Sequence, residues 1–366
     1  MSKTYRALLV GTGGIADAHV RAIAATGGRV ILAAACDIDA GRAQVFCERH
    51  GIPAAHTDYA TALREVRPDL VFIAAPPSLH ASMSIAAMEA GAYVLCEKPL
   101  CASLAELDLI AAAEARTGKF TACVFQMRFA SSCGHVRALL ASGAFGRPLL
   151  ALCNTVWFRD AAYYAVPWRG KWSTELGGPT MSQGIHTMDH LLLLLGDWTE
   201  VRAVVDTVLH AIEVEDVSMA HVKFANGARA AIVNTTVSPR QETSIRLDCE
   251  RATIELTHLY SYTKENWKLT PAPGSNGEGD ALMQAWQVFP TPDVGSTHAA
   301  QLNALVADID AGRPHLTAGT EARRTMEFLT ALYKSAFTGA TVVRGSIGHG
   351  DPFYSALNGG MTLGKK

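Results

Sequence analysis

Over the first stretch of the chain, short apolar runs alternate with segments in which apolar residues recur at helical spacing. Arg6 to Val10 reads as a buried strand, followed by a glycine-rich turn and a helix through about Ala25. Val30 to Cys36, Ala54 to His56, Leu70 to Ala74, Tyr93 to Cys96 and Thr121 to Phe125 repeat the strand signal. Helical periods fill the gaps, at about Ala40 to His50, up to Val66, Ser82 to Ala90 and Leu104 to Thr117. Strand and helix in strict alternation predict a doubly wound parallel sheet over residues 1–125.

The texture changes after about residue 148. Leu149 to Trp157, Val201 to Val208, Val217 to Phe224, Ala228 to Thr236, Thr243 to Cys249 and Thr253 to Leu259 follow one another as strands. Asn226-Gly227 makes a hairpin turn between two of them. A second domain, 126–366, is therefore expected to hold a large, mainly antiparallel sheet. It carries a helix around His186 to Leu195, a surface loop over Pro271 to Gly279, and closing helices at Ala299 to Ala311 and Glu321 to Phe337. The closing helices could pack back on the first domain. The tail from Asn358 onward is expected to be loosely held.

Composition narrows the class. The 366 residues suffice for two cores, and a formal net charge of −2 without a basic run offers no nucleic-acid footprint. Leu191 to Leu195 is too short to span a bilayer, so no membrane partner is expected. Eight cysteines without a Cys-x-x-Cys pair read as reduced thiols, and no apolar leader precedes the first strand; a cytoplasmic location is expected.

Candidate chemistry follows from spacing. Gly11-x-Gly13-x-x-Ala16, with Gly14 and Ile15 inside it, joins a strand to a helix, the arrangement that cradles a dinucleotide pyrophosphate on a helix N-terminus. Asp37 closes the second strand 21 residues after Ala16, where a carboxylate bonds ribose hydroxyls and repels a 2′-phosphate. NAD is favoured over NADP. Pro76, Pro77 and His80 follow another strand end and are expected near the nicotinamide ribose. Glu97-Lys98-Pro99 ends a further strand, where an amine can bond a substrate hydroxyl and share in its proton transfer.

With Arg128-Phe129, Trp168-Arg169 and Gly177-Gly178 through Asp189, these motifs resemble the glucose-fructose oxidoreductase / inositol dehydrogenase / rhizopine-catabolism family over nearly the whole chain. The resemblance implies a Rossmann domain, a C-terminal α/β domain with an open-faced sheet, and sugar or cyclitol substrates. It also implies a homodimer or homotetramer through that open face. The family's usual Asp-x-Gly-x-His-x-x-Asp here reads Ser182-Gln183-Gly184-Ile185-His186-Thr187-Met188-Asp189. Serine cannot carry the aspartate's charge, so a Lys-Asp-His arrangement is unavailable. Branches with a neutral residue there, similar to UDP-sugar 3-dehydrogenases, favour oxidation at C3 of a pyranose.

Oxidation of a secondary alcohol needs a hydride acceptor and a base. Lys98 and His186 are the candidates for the proton, and the sequence does not choose between them. Glu97 suits orientation of the backbone better than substrate contact, and Asp189, one turn beyond His186, suits support. Gln126, Arg128, Trp168, Arg169, Ser182 and Gln183 are candidate substrate contacts, although salt bridges explain the arginines equally well. Trp157, Tyr163, Tyr164, Trp168 and Trp172 offer a sugar-stacking platform or ordinary packing. His186 and His190 stand at i, i+4, but no third ligand lies nearby, so no metal is expected. Two rivals to a freely turning-over dehydrogenase are a non-catalytic NAD-binding sensor and an enzyme with permanently bound NAD. The latter would shuttle hydride between sugars or catalyse a redox-neutral elimination.

Overall fold

A computed structural model describes residues 3–274 and 278–363, which divide into two compact units. The first is Met1–Phe125 with His298–Arg323; the second is Gln126–Thr297 with Arg324–Lys366.

The first unit is built on six parallel strands: β1 (Tyr5–Val10), β2 (Val30–Cys36), β3 (Ala54–His56), β4 (Leu70–Ile73), β5 (Tyr93–Cys96) and β6 (Thr121–Cys123). Their order, β3-β2-β1-β4-β5-β6, is that of a Rossmann sheet, with the reversal at β1 and β4. Helices α1 (Ala16–Ala24), α2 (Ala40–His50), α3 (Tyr59–Val66), α4 (His80–Glu89) and α5 (Leu104–Thr117) are the crossovers. Their starts are written in the sequence, since Asp39, Asp58 and Ser103 each accept a backbone N–H at the N-cap. Apart from exposed Arg6, β1 and β4 are buried along their length, which is why they read as apolar runs. A helix from far along the chain, α11 (His298–Asp310), joins this core through Leu302, Leu305 and Val306.

The second unit holds an eight-stranded sheet of β7 (Pro148–Phe158), β8 (Trp198–Asp206), β9 (Val217–Phe224), β10 (Arg229–Thr235), β11 (Val237–Cys249), β12 (Ala252–His258), β13 (Trp267–Pro271) and β14 (Val342–Val343). Every pairing is antiparallel except β10 with β7. Alternation sends Ala151, Cys153 and Thr155 of β7 inward, against α9 (Gly184–Leu195) among others. On the opposite face Leu150, Phe158, Val204 and Met219 are exposed. The unit also contains α6 (Ser131–Ala141), α7 (Ala161–Tyr164), α8 (Pro179–Ser182), α10 (Glu278–Gln287), most of α12 (Gly319–Thr338) and α13 (Pro352–Ser355).

The loop expected over Pro271 to Gly279 is shorter on the described residues. Pro271 ends β13, Glu278 opens α10, and 275–277 lie outside the described residues. The expected loose tail is described only to residue 363, with 364–366 outside. No described helix is long and apolar enough to cross a membrane.

Candidate functional site

Gly11 adopts φ +88°, and a Cβ there would stand 2.4 Å from the Ala74 carbonyl oxygen, so only glycine fits between β1 and β4. Gly13 and Gly14 meet nothing within 4 Å on the side a Cβ would occupy, which leaves their backbone open to a pyrophosphate. Ile15 is exposed, while Ala16 is fully buried where α1 packs on the sheet. Asp37 accepts from the Thr12 backbone N–H and hydroxyl at 3.0 and 2.9 Å, from Asp39 N–H, and from Arg42 at 2.9 Å. Burial pushes this carboxyl up, but those donors outweigh it and hold it below the usual carboxylate range. The open turn and the ionised Asp37 fit an NAD pyrophosphate and ribose.

Across Val94 to Leu100, Lys98 is the one residue not buried. Beside it Glu97 turns inward: its Oε1 lies 3.1 Å from His19 Nε2, and its Oε2 faces the Lys98 N–H at 3.3 Å. His80 corrects the expectation placed on it. Its ring is wholly buried, with Nδ1 2.6 Å from the Pro99 carbonyl and Nε2 2.9 Å from that of Ala75. Burial pulls its pKa down against two carbonyls that favour a second proton. His80 therefore pins the Lys-Pro turn to the end of β4 and has no ring nitrogen left for a ribose. Pro76 precedes the short turn Pro77–Leu79 that leads into α4.

In the second unit α9 repeats the pattern seen at Lys98. Of Gly184–Leu195, His186 alone is not buried. Gly184 lets the helix sit against β10, because a Cβ there would lie 2.1 Å from Asn234 Oδ1. Arg128 is a second correction: its side chain is fully buried and forms a bidentate pair with Asp189 at 2.7 and 2.6 Å. Its Nε and Nη2 are committed to that carboxylate, which favours the salt-bridge reading of this arginine. Asp189 also accepts from Thr325 at 2.7 Å, so it braces the helix.

Around the serine that replaces aspartate runs a polar chain. The Ser182 hydroxyl lies 2.5 Å from Gln183 Oε1, Gln183 Nε2 donates to the Tyr163 hydroxyl at 3.0 Å, and Arg169 donates to the same oxygen. Arg169 also pairs with buried Glu175 at 2.8 Å and stacks on Tyr163 and on Trp168, which is 38% exposed. Gln126 keeps a buried Oε1 without a hydrogen-bond partner. The aromatic cluster divides: Trp157 donates to Thr243, Tyr164 bonds Thr236, and Trp172 packs on Tyr333 and Phe337. Tyr163 lies under both Arg169 and Arg159, and Trp168 under Arg169.

Two family models match the chain. Residues 5–125 match the oxidoreductase family with an NAD-binding Rossmann fold, and residues 134–255 match the GFO/IDH/MocA C-terminal domain. The chain belongs to the GFO/IDH/MocA oxidoreductase family. Its first unit is thus an NAD-binding Rossmann domain. An inositol 2-dehydrogenase of Salmonella typhimurium is 34% identical over 40% of this chain and 44% of its own, so the match spans less than half of that relative. D-glucoside 3-dehydrogenase of Escherichia coli K12 is 26% identical over 93% of this chain and 98% of its own. Among solved structures, the WlbA dehydrogenase of Bordetella pertussis in complex with NADH and UDP-GlcNAcA superposes with a TM-score of 0.82. It is 26% identical over 93% of this chain and 99% of its own.

Several residues of this GFO/IDH/MocA member escaped sequence reasoning. Glu175, which neutralises Arg169, lies among loop residues with no periodic signal. Glu215 is fully buried, accepts from Tyr333 at 2.9 Å and Thr180 N–H at 3.2 Å, and is pushed up by burial. His19 lies three residues beyond Ala16 on α1, and its partner Glu97 is 78 residues away.

Proposed function

We propose that this chain is an NAD-dependent dehydrogenase acting on a secondary hydroxyl of a sugar, glycoside or cyclitol, with C3 of a pyranose the favoured carbon. The observation that carries the reading is the repeated exposure pattern: Lys98 and His186 are each the one accessible residue of an otherwise buried segment. A chain that needed these positions only for packing would place apolar side chains there.

Bound NAD supplies the hydride acceptor, nicotinamide C4. Gly11, Gly13 and Gly14 give their backbone to the pyrophosphate, and Asp37 takes ribose hydroxyls. The hydroxyl proton leaves through Lys98 or His186, and a lysine ammonium also stabilises negative charge growing on oxygen. Trp168 offers a ring face to a pyranose, while Gln126, Gln183 and Ser182 offer hydrogen bonds. Both arginines expected at the substrate are charge-balanced, Arg128 by Asp189 and Arg169 by Glu175. That balance favours a neutral polyhydroxylated substrate over a uronate or sugar phosphate. The nearly full-length match to a D-glucoside 3-dehydrogenase supports the same class and carbon.

Lys98→Ala tests the reading. NADH formation with neutral glycosides should fall by about 10²- to 10⁴-fold while NAD binding by calorimetry persists. A variant as active as the wild type would defeat the assignment; an inactive wild type that still binds NAD would favour a sensor.

The exposed apolar positions of the eight-stranded sheet, Leu150, Phe158, Val204 and Met219 among them, are proposed to be covered by a second copy in a dimer or tetramer. Light scattering checks this, with a monomer contradicting it. All eight cysteines are buried thiols, which supports a reducing, cytoplasmic location.

A further inference from the structure

Glu97 sits where three distant parts of the first unit meet. Its Oε1 lies 3.1 Å from Nε2 of His19, on α1, and 3.5 Å from Nε2 of His298, the first residue of α11. The two imidazoles meet edge to face at 5.4 Å, and the His19 ring rests 5.5 Å from Phe72 of β4. Glu97 and His19 are buried, and only His298 keeps partial access to solvent. A carboxylate taken out of water so completely requires compensation. Burial alone would push Glu97 up, yet the two histidines hold it well below the ordinary glutamate range. A fixed negative charge therefore stands one residue before Lys98, its second oxygen turned to the Lys98 N–H.

We infer that His19 and His298 are positioning residues for Lys98, acting through the Glu97 carboxylate. The inference rests on the proposed role of Lys98. His19 lies on α1, the helix that follows the glycine turn and whose N-terminus would receive the pyrophosphate, so its bond to Glu97 ties that turn to the backbone of the lysine. His298 stands on the other side and brings α11 to the cluster, its Nε2 at ion-pair distance from the same oxygen but without hydrogen-bond geometry. An unfastened Glu97 would let the Lys98 backbone shift, and a displacement near 1 Å can cost about 10²-fold in rate. The same three ligand atoms lie within 4.8 Å of one another and could also surround a divalent cation, which the test must separate.

The test compares His298→Leu, His298→Gln and Lys98→Ala in the full-length protein with NAD and a neutral glycoside. Glutamine keeps an N–H donor near the position of Nε2; leucine does not. The expected result is a fall in kcat of about 10- to 100-fold for His298→Leu with KM for NAD unchanged, and recovery to within about threefold for His298→Gln. Should the leucine variant not fold, Glu97→Gln, which keeps shape and loses charge, must show the same loss. Full kcat in His298→Leu or Glu97→Gln overturns the inference, as does equal loss in the leucine and glutamine variants. Wild-type activity lost to a chelator and restored by zinc would also overturn it, in favour of a cation site. If Lys98→Ala keeps its activity, the parent reading fails instead.

Discussion

We propose that Asp37 decides between two cofactors with a single carboxylate. Its charge is anchored by Thr12 and Asp39, and Arg42 already leans on it at 2.9 Å. Replacing the aspartate by serine would remove the repulsion toward a 2′-phosphate and release Arg42, with Arg49 close by in the same groove. Asp37→Ser should lower the ratio of kcat/KM for NAD over NADP by at least about tenfold, since one lost charge repulsion is worth ~1.4 kcal/mol or more at short range. A ratio unchanged from wild type would show that Asp37 does not face the ribose. Arg128 and Arg169 illustrate the limit of residue-level reading: an arginine in a motif looks like a ligand for anions until its carboxylate appears. Arg128 finds Asp189 61 positions away, a separation no local pattern reveals.

At the scale of elements, local signals carried far. β2, β3, β5, β9, α2 and α5 occupy the very residues that alternation and caps predict, because each is bounded by a capping aspartate or serine or by a glycine turn. The strands around them differ by a few residues at their ends, where pairing rather than pattern sets the limit. α10 was hidden by the Pro, Gly and Ser before it. The place of α11 was equally hidden: its apolar face is visible in the sequence, but nothing local says that the face belongs to a sheet two hundred residues earlier. The Glu97 clamp depends on that return, so it too was illegible. Gly177-Gly178 could be recognised as a motif without its reason. The reason is steric: a Cβ on Gly178 would stand 1.7 Å from the Glu215 carbonyl oxygen. Backbone cannot step aside as a side-chain tip can. Gly178→Ala should therefore destabilise the protein by about 3 kcal/mol, seen as a lower urea midpoint at constant m. A midpoint equal to wild type would mean that α8 can move away from Glu215.

For the whole molecule, two buried histidines add to the loss of stability in acid. His190 is lowered to about 3 by burial, then by His258, Arg128 and Arg137; His258 is lowered by burial to about 4. Once unfolded, both take up protons as pH falls through their ordinary value of 6.5. Between that value and the folded ones the unfolded chain binds more protons, so stability is full above the unfolded pKa and declines as pH falls. Each group contributes a slope of up to ~1.4 kcal/mol per pH unit. His190→Gln should flatten the dependence of Tm on pH between about 6 and 4, whatever it does to Tm itself. An unaltered slope would show that His190 accepts its proton in the folded state.

One experiment tests most directly what Lys98 and His186 do. Purified protein is mixed with NAD and a methyl glucoside, NADH absorbance is followed, and the carbohydrate product is examined by carbon NMR. NADH should rise in step with a ketone signal at ring C3, and both should be absent with Lys98→Ala. NADH with a ketone at another carbon would contradict the C3 assignment. Neither NADH nor ketone from any neutral sugar, glycoside or cyclitol, in protein shown to bind NAD, would contradict the dehydrogenase itself.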